Sequence, residues 1–351
     1  MLIKRGVLFV GFKLDSELLH RLVFEPGVSG YEEPIRRLII SEIKDYGKVS
    51  VDDVGNVFLD LGGEGDTVLL AAHMDELGLV VTNIFDDGLL AFRKLGGIDD
   101  RALPSQHVLV LGSKGAVEGV IGLEPPHLQF EKEPKTVPWH QLRIDVGASS
   151  RQEVEEMGIR VLDPVVPKKH WSVLNHGKFL ASRGFDDRAG VYALIELAKL
   201  VARGEVKPRH HVVLAWTVQE ELGLRGAFAI AARLKPKYFV AVDTMACCRP
   251  EITGPLKPGQ GPAIRALDNA YVANWGLVKR LREVAEEEKI PYQLASGGGG
   301  TDAAAFQRAG VASIAVVMPV KYAHTTTELI ARSDIENTVR LLAAALTKGL
   351  A

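Results

Sequence analysis

The sequence predicts an α/β protein: a mainly parallel sheet covered by helices, with a small β-rich domain inserted into it. Two observations lead to this prediction. Before about residue 76 and after Trp171, strand-like apolar runs alternate with helical segments, which is typical of a parallel sheet covered on both faces. Between Glu76 and Pro167, short apolar runs alternate with turn residues at close spacing, and helical segments are rare.

We therefore divide the 351 residues into one discontinuous domain, residues 1–76 and 168–351, and an inserted domain, residues 77–167. This length is sufficient for two domains with a large core. Hydrophobic residues make up 47% of the chain, charged residues 25%, and the net charge is −2. The composition is that of a soluble globular protein and gives no indication of nucleic-acid or membrane-surface binding.

The cysteines and the N-terminus both indicate a cytoplasmic protein. The two cysteines, Cys247 and Cys248, are adjacent and give no disulfide framework, which fits a reducing compartment. The apolar run near the N-terminus is at the lower length limit for a signal peptide and has no small-residue cleavage site. The 14 Asn and Gln residues are few beside 86 charged residues, which indicates a thermophilic source.

Apolar periodicity and turn signals define the elements before and within the insertion. The Pro/Gly break EPGVSG separates two helical segments, and an Asp-Val-Gly-Asn turn separates two alternating strands. A short apolar run then ends abruptly at His73, as expected for a buried strand. The predicted elements are helices at residues 15–24, 31–46 and 150–157, and strands at residues 49–52, 57–61, 68–72, 78–84, 89–92, 107–111 and 115–121.

After Trp171, helices and strands alternate up to the C-terminus. A run of four glycines separates a short strand from the helix that follows it. The predicted elements are helices at residues 188–202, 224–234, 273–289, 302–308 and 334–348, and strands at residues 211–218, 238–242, 291–295 and 311–317.

His73 and Asp75 lie at or just past the carboxyl end of a predicted strand, where open α/β sheets bind their ligands. Alternate residues of an extended segment point the same way, so one of the pair could bind a metal while the other orients it. A histidine at a strand end is more often structural, and this motif alone is weak evidence.

Two acidic pairs follow further along the chain. Asp186 and Asp187 precede a predicted helix, where they would serve either as a helix cap or as a carboxylate bridging two cations, and the pair alone favours the cap. Glu220 and Glu221 close the most apolar strand. Buried charges are rare unless they are paired or metal-bound, so this pair favours function, with one glutamate on a metal and the other facing a bound water.

Asp243 ends another predicted strand and His324 follows the last one; each alone would be an ordinary turn or loop residue. Together, however, the histidines and carboxylates should converge on one edge of the sheet. Nitrogen and oxygen ligands without thiolates suit Zn²⁺, Co²⁺ or Mn²⁺. Two cations that share a carboxylate would polarise a carbonyl group and activate a water, with a nearby glutamate as general base.

Six motifs occur in the order found in the tetrahedral metallo-aminopeptidases, a family that includes deblocking aminopeptidases and members labelled cellulases. The motifs are HMDELG, GFDDRAG, TVQEELGLRGA, VAVDT, SGGGGTDAA and YAHTTTELI. The resemblance extends from about Leu14 to the C-terminus and includes the segment GLEPPH in the insertion. Residues 1–12 have no clear counterpart. Cys247 and Cys248, and the Thr-Thr-Thr run after His324, depart locally from the family pattern without removing a ligand.

The resemblance implies two metal sites that share one bridging carboxylate, Asp186, which a cis peptide bond joins to Asp187. His73 and Asp243 would complete one site, and Glu221 and His324 the other.

The resemblance further implies that Glu220 is the general base and that Asp75 contacts and orients His73 without binding a metal itself. The glycine loop at residues 297–300 would face the substrate. The implied enzyme is a cytoplasmic dinuclear aminopeptidase that removes N-terminal residues from short peptides and holds two divalent ions, zinc or cobalt, per subunit. Its inserted domain would form a dimer, and six dimers would form a hollow tetrahedral dodecamer.

Three rival functions remain open at this point. A related metallo-carboxypeptidase or acylase would share the metal set, but the β insertion argues against it. A glycoside hydrolase requires two carboxylates about 5–9.5 Å apart across the scissile bond, which adjacent glutamates do not naturally supply. A non-catalytic metal-binding or assembly protein would not need the base position, Glu220.

Overall fold

The computed structural model describes residues 12–128 and 136–350. The helices in these ranges are α1 (Ser16–Phe24), α2 (Glu33–Ile43), α3 (Arg151–Glu156), α4 (Phe185–Ala202), α5 (Arg225–Ala231), α6 (Pro250–Thr253), α7 (Trp275–Glu287), α8 (Ala303–Arg308) and α9 (Arg332–Lys348). Residues 1–11, which make up most of the segment without a family counterpart, lie outside the described ranges.

The strands fall into a large sheet and a separate barrel. The sheet contains β1 (Lys48–Val51), β2 (Val57–Gly62), β3 (Thr67–His73), β10 (Ser172–Leu174), β11 (Phe179–Ser182), β12 (His211–Thr217), β13 (Tyr238–Ala246), β14 (Ala263–Leu267), β15 (Gln293–Ser296), β16 (Ala312–Lys321) and β17 (Glu328–Ala331). The barrel contains β4 (Gly78–Ile84), β5 (Leu90–Leu95), β6 (His107–Gly112), β7 (Gly115–Ile121), β8 (Ile144–Asp145) and β9 (Pro164–Pro167).

Four parallel strands form the centre of the large sheet, in the order β12-β3-β13-β16. Strands β3 and β12 are almost entirely buried, as expected for strands that are covered on both faces. Strands β1 and β2 on one side of this centre, and β17, β11 and β10 on the other, pair antiparallel. Strand β14 also pairs antiparallel with β16, and β15 pairs parallel with β14. The α/β class is therefore correct, and the whole sheet is mixed, with its longest parallel run at the centre.

Helices α4 and α9 pack against each other and against the central strands. On α8, Phe306 stacks on Phe239 of β13 with ring centroids 3.7 Å apart. Trp216 of β12 is fully buried and donates a hydrogen bond to the carbonyl of Val191 on α4. These contacts fix the strand ends relative to the start of α4, which is where the candidate site lies.

The barrel strands close in the order β4-β5-β8-β7-β6-β9, and all of them fall within residues 77–167. The barrel has its own hydrophobic core, which includes Leu79, Phe92, Val110 and Val165. Helix α3 lies in the same segment and is capped by the Ser150 side chain, which accepts a hydrogen bond from the Glu153 backbone N–H. The insertion thus folds around a core separate from that of the large sheet.

In the described ranges, no helix combines the length and the apolar character that crossing a membrane requires.

Candidate metal centre and active site

The carboxyl ends of the central parallel strands supply most of the predicted site. His73 is the last residue of β3, Glu220 and Glu221 follow β12 by three and four residues, and His324 follows β16. Asp243 lies inside β13 rather than at its end, because pairing with β16 extends that strand to Ala246.

Asp186 enters the site from the start of α4. Asp186 and Asp187 have non-helical backbone angles, so the regular helix begins only after them, and the peptide bond that joins them is cis. The preceding Gly184 has a φ of 91°, a conformation that glycine adopts readily. This irregular start directs the Asp186 carboxylate towards the strand ends.

The first candidate metal group consists of His73, Asp186 and Asp243, whose ligand atoms all lie within 4.8 Å of one another. The Nε2 atom of His73 is 3.3 Å from Oδ1 of Asp186 and 3.7 Å from Oδ1 of Asp243. His73 and Asp243 are buried. One imidazole nitrogen and two carboxylates form a donor set that divalent cations accept.

The second candidate group consists of Asp186, Glu221 and His324. The Nε2 atom of His324 is 3.6 Å from Oδ2 of Asp186 and 3.7 Å from Oε2 of Glu221. The two oxygens of Asp186 therefore face different groups, Oδ1 the first and Oδ2 the second. This is the arrangement expected of a carboxylate that bridges two cations.

Asp75 supports both the first group and the glutamate pair. The Nδ1 atom of His73 lies 3.1 Å from the backbone carbonyl of Asp75 and 3.4 Å from its Oδ1 atom, which leaves Nε2 of His73 to face Asp186. The fully buried Asp75 carboxylate also accepts hydrogen bonds from the Glu220 N–H at 2.9 Å and the Glu221 N–H at 3.3 Å. Ser29 Oγ donates a further bond at 2.6 Å.

Glu220 belongs to neither candidate metal group but faces the first one. Its Oε2 atom is 4.0 Å from Nε2 of His73. The adjacent glutamates thus have different environments: Glu221 lies with His324 and Asp186, whereas Glu220 lies beside His73. This separation keeps the Glu220 carboxylate outside both candidate ligand groups.

The electrostatics of the site show an excess of negative charge. Burial raises the pKa values of Glu220, Glu221 and Asp243, and neighbouring carboxylates raise them further. Burial alone would lower the pKa of His73, but its contacts with Asp186, Asp243 and Asp75 raise it well above the usual value. Among the described residues, the buried Oε1 of Glu221 has no hydrogen-bond partner. Bound divalent cations would satisfy both features, so the residues present fit a metal centre.

A cleft of about 640 Å³ opens onto the site. Its walls include the cleft-facing part of β13, helix α6 and the glycine loop, of which Gly298, Gly299 and Gly300 line the cleft. Among the described lining residues the only Lys or Arg side chain is Arg265, which pairs with Asp268 Oδ2 at 3.1 Å and donates to the Gly298 carbonyl at 2.7 Å. The Nε atom of Arg265 is buried and has no hydrogen-bond partner in the described part of the chain.

Sequence reasoning missed two carboxylates that position the site. Glu76 is buried among Lys169, Arg183 and Arg188 and forms ion pairs with all three. These ion pairs link the chain segments that enter and leave the barrel to the start of α4. Glu328 accepts hydrogen bonds from the backbone N–H groups of Gly184 and Asp186. Glu76 lies within HMDELG and Glu328 within YAHTTTELI. An acidic residue close to a predicted ligand was therefore the signal that could have identified them.

Comparison with known proteins identifies relatives that cover most of this chain. The family model of M42 glutamyl aminopeptidase matches residues 55–341. The lysyl aminopeptidase of Pyrococcus furiosus is 35% identical over 343 residues, which cover 95% of this chain and 97% of the relative. The structure of the Pyrococcus horikoshii TET1 peptidase, which can assemble into a tetrahedron or a large octahedral shell, is similar with a TM-score of 0.90 and 45% identity over 95% of this chain and 99% of that one. An aminopeptidase structure from the archaeon Desulfurococcus kamchatkensis has a TM-score of 0.89 and 34% identity over 95% and 94% of the two chains.

Proposed function

Because the chain belongs to the M42 glutamyl aminopeptidase family, we propose that it is a dinuclear metal-dependent aminopeptidase that hydrolyses N-terminal residues from short peptides. One observation carries this proposal: the two carboxylate oxygens of Asp186 face two separate ligand groups, one with His73 and Asp243 and the other with Glu221 and His324.

These five residues would hold two divalent cations, zinc or cobalt, since the donors are imidazole nitrogens and carboxylate oxygens without thiolates. When bound, such cations polarise the scissile carbonyl and lower the pKa of a bound water towards about 7. Asp75 keeps the His73 ring oriented so that Nε2 points into the site.

Glu220 is proposed as the general base. Its carboxylate lies beside the first ligand group without belonging to it, so it can accept the proton of the attacking water and deliver it to the departing amine. Its backbone N–H is held by Asp75, which restricts where the carboxylate can lie. Positioned proton transfer of this kind contributes about 10²–10⁴-fold in rate.

The wall of the cleft favours an acidic N-terminal side chain on the substrate. Among the described lining residues Arg265 is the one Lys or Arg, and its guanidinium group would attract a substrate carboxylate. Asp268 neutralises part of the Arg265 charge, which limits the preference. We therefore propose that N-terminal glutamate or aspartate is removed faster than an uncharged residue of similar size.

The proposed assembly is a homo-oligomer in which the barrel domains pair and dimers build a dodecamer. The barrel segment exposes Val120, Leu123, Val161 and Leu162, at 39%, 48%, 46% and 63%. Exposed apolar groups of this kind support a contact between copies of the chain. Light scattering should give a mass near twelve chains; a monomer at micromolar concentration would contradict the assembly.

Rival functions fit this site less well. In a glycosidase the two carboxylates act directly across the scissile bond, whereas here Glu221 lies with His324 and Asp186 in a ligand group. A related carboxypeptidase or acylase would use the same metal ligands. The end of the substrate that is cleaved distinguishes these enzymes from an aminopeptidase.

The test is amino-acid release from short peptides with free or acetylated N-termini, using metal-stripped protein with and without added Zn²⁺ or Co²⁺. Stepwise release from free N-termini that depends on added metal is the expected result. Release from the C-terminus, or cleavage of acetylated peptides alone, would contradict the aminopeptidase assignment.

A further inference from the structure

Cys247 and Cys248 form a pair of thiols in contact, directly after Ala246, which lines the cleft. Their Sγ atoms lie 2.8 Å apart. Both residues are partly exposed, so reagents in solution can reach them. They are the two cysteines of the sequence, which makes any change in thiol content easy to assign.

The pair joins two walls of the cleft. On its N-terminal side, β13 contributes Thr244, Met245 and Ala246 to the lining; on its C-terminal side, α6 contributes Ile252 and Thr253. No regular element separates the cysteines from β13, and only Arg249 separates them from α6. A covalent change at the two cysteines would therefore act one residue before the start of α6.

We propose that Cys247 and Cys248 are an oxidative modification site, at which a peroxide converts the two thiols into a disulfide between neighbouring residues. In the first step a thiolate attacks hydrogen peroxide, which gives a sulfenic acid and releases hydroxide, protonated to water. The second thiol then displaces the hydroxyl group of the sulfenic acid as a second water and forms the S–S bond. The two thiols lose two electrons and two protons, and peroxide is reduced to two waters.

The surroundings assign an order to the two sulfurs. Burial, and then the contact with Cys248, raise the pKa of the Cys247 thiol, which keeps it protonated and a poor first nucleophile. Cys248 is accordingly the sulfur that is oxidised first, and Cys247 is the one that resolves the sulfenic acid. The 2.8 Å separation places the resolving sulfur beside the oxidised one. The disulfide can therefore form before a second peroxide oxidises the sulfenic acid to sulfinic acid.

The disulfide would alter substrate binding rather than the ligand groups. Pairing of β13 with β16 continues from Asp243 through Ala246, and the Cys247 N–H still donates to the Val320 carbonyl at 3.1 Å. Cys248 has a positive φ of 73° and leads into α6. An eight-membered ring restricts the backbone at this point, so the displacement falls on Ile252 and Thr253. The predicted consequence is a rise in KM of roughly threefold or more, with unchanged metal content.

The covalent step is independent of the proposed function, whereas the effect on KM depends on it. The zinc-loaded protein is treated with hydrogen peroxide, its remaining thiols are alkylated, and the intact mass is measured. The expected result is a loss of about 2 Da, no alkylation, and full reversal by dithiothreitol. In Cys247→Ser, the remaining Cys248 should instead be trapped as a sulfenic acid by dimedone. Thiols that stay alkylatable, or disulfides between chains on a non-reducing gel, would overturn the site.

The link to the cleft is tested by KM for a short peptide before and after peroxide treatment. The double variant Cys247→Ser/Cys248→Ser is the control, because it retains Met245 in the cleft and so reports any effect of methionine oxidation. A KM increase that appears in the wild type, is absent from the double variant and is reversed by dithiothreitol supports the proposal. Two results would contradict the link between the disulfide and the cleft. One is an equal increase in KM in both proteins; the other is an unchanged KM in a wild type whose mass shows that it is oxidised.

Discussion

Asp75 and Glu220 are joined by a hydrogen bond of 2.9 Å from the Glu220 backbone N–H to the Asp75 carboxylate. The same carboxylate lies 3.4 Å from Nδ1 of His73, so one buried side chain positions both a proposed metal ligand and the proposed base. Asp75 therefore links the two functions proposed for the site, binding of cations and transfer of a proton.

Substitution of Asp75→Asn should lower activity by about 10–100-fold. The carboxylate accepts hydrogen bonds from two backbone N–H groups, and the amide NH₂ group would place a donor against one of these donors. The measurement is kcat/KM together with metal affinity. Ser29→Ala is the matched control, since it removes one bond to the same carboxylate and leaves the acceptor in place. Equal effects of the two substitutions would contradict the positioning role of Asp75.

The adjacent glutamates should respond differently to the same substitution. Glu220→Gln should keep both metal ions and reduce kcat by about 10²-fold or more, because it removes the proton acceptor. Glu221→Gln should lower metal content, because Glu221 lies with His324 and Asp186. Elemental analysis and steady-state kinetics on both variants decide the question; metal loss in Glu220→Gln with a fully loaded Glu221→Gln would reverse the assignment.

Glu76 is expected to dominate the acid sensitivity of the fold. Burial raises the pKa of Glu76, but Lys169, Arg183 and Arg188 outweigh burial and lower it to about 2 from a usual 4.5. A carboxyl group whose pKa is lowered on folding stabilises the fold fully above pH 4.5 and loses that contribution as the pH falls towards 2. The shift corresponds to about 3 kcal/mol. Burial lowers the pKa of Lys169 to about 8, so it stays charged throughout this acid range.

Glu76→Gln should therefore destabilise the protein by about 3–5 kcal/mol at pH 7, and the difference from wild type should shrink between pH 4.5 and 2. The measurement is thermal unfolding with a chelator in all samples, so that loss of bound metal at acid pH does not contribute to the difference. Glu118→Gln is the control, since its ion pair with Lys168 is exposed to solvent and should contribute little to stability. A difference between Glu76→Gln and wild type that is constant from pH 7 to 2 would exclude Glu76 as the titrating group.

Arg265 should set the preference for acidic substrates. Arg265→Gln should lower the ratio of kcat/KM for N-terminal glutamate over N-terminal leucine, because it removes the cationic donor of the cleft. The ratio is the informative quantity, since loss of the bond to Gly298 affects both substrates. Asp268→Asn should raise the same ratio by freeing the guanidinium charge. An unchanged ratio in both variants would show that Arg265 does not contact the substrate side chain.

The positions of His73, Glu220, Glu221 and His324 could be anticipated because they end or follow apolar strands, and parallel strands align their carboxyl ends. Asp243 is different: the pairing of β13 with β16 continues past it, and the extended strand was not visible in the local pattern. The roles of Glu76 and Glu328 depend on partners 93 and 144 residues away, which local patterns do not reveal.

Among the strands, the central ones were predictable from continuous apolar runs, whereas the edge strands β10, β11 and β17 were not. These have three or four residues each, and β10 is exposed throughout, so neither length nor apolar pattern distinguishes them from loops. Their pairing is set by the position of β16 in the folded sheet.

Anomalous diffraction at the zinc edge from zinc-loaded crystals would show whether Asp186 bridges two cations. We expect two anomalous peaks, one between Asp186, His73 and Asp243 and the other between Asp186, Glu221 and His324. We also expect that Asp186→Asn weakens both peaks together. A single peak in the wild type, or two full peaks in Asp186→Asn, would contradict the bridging role of Asp186.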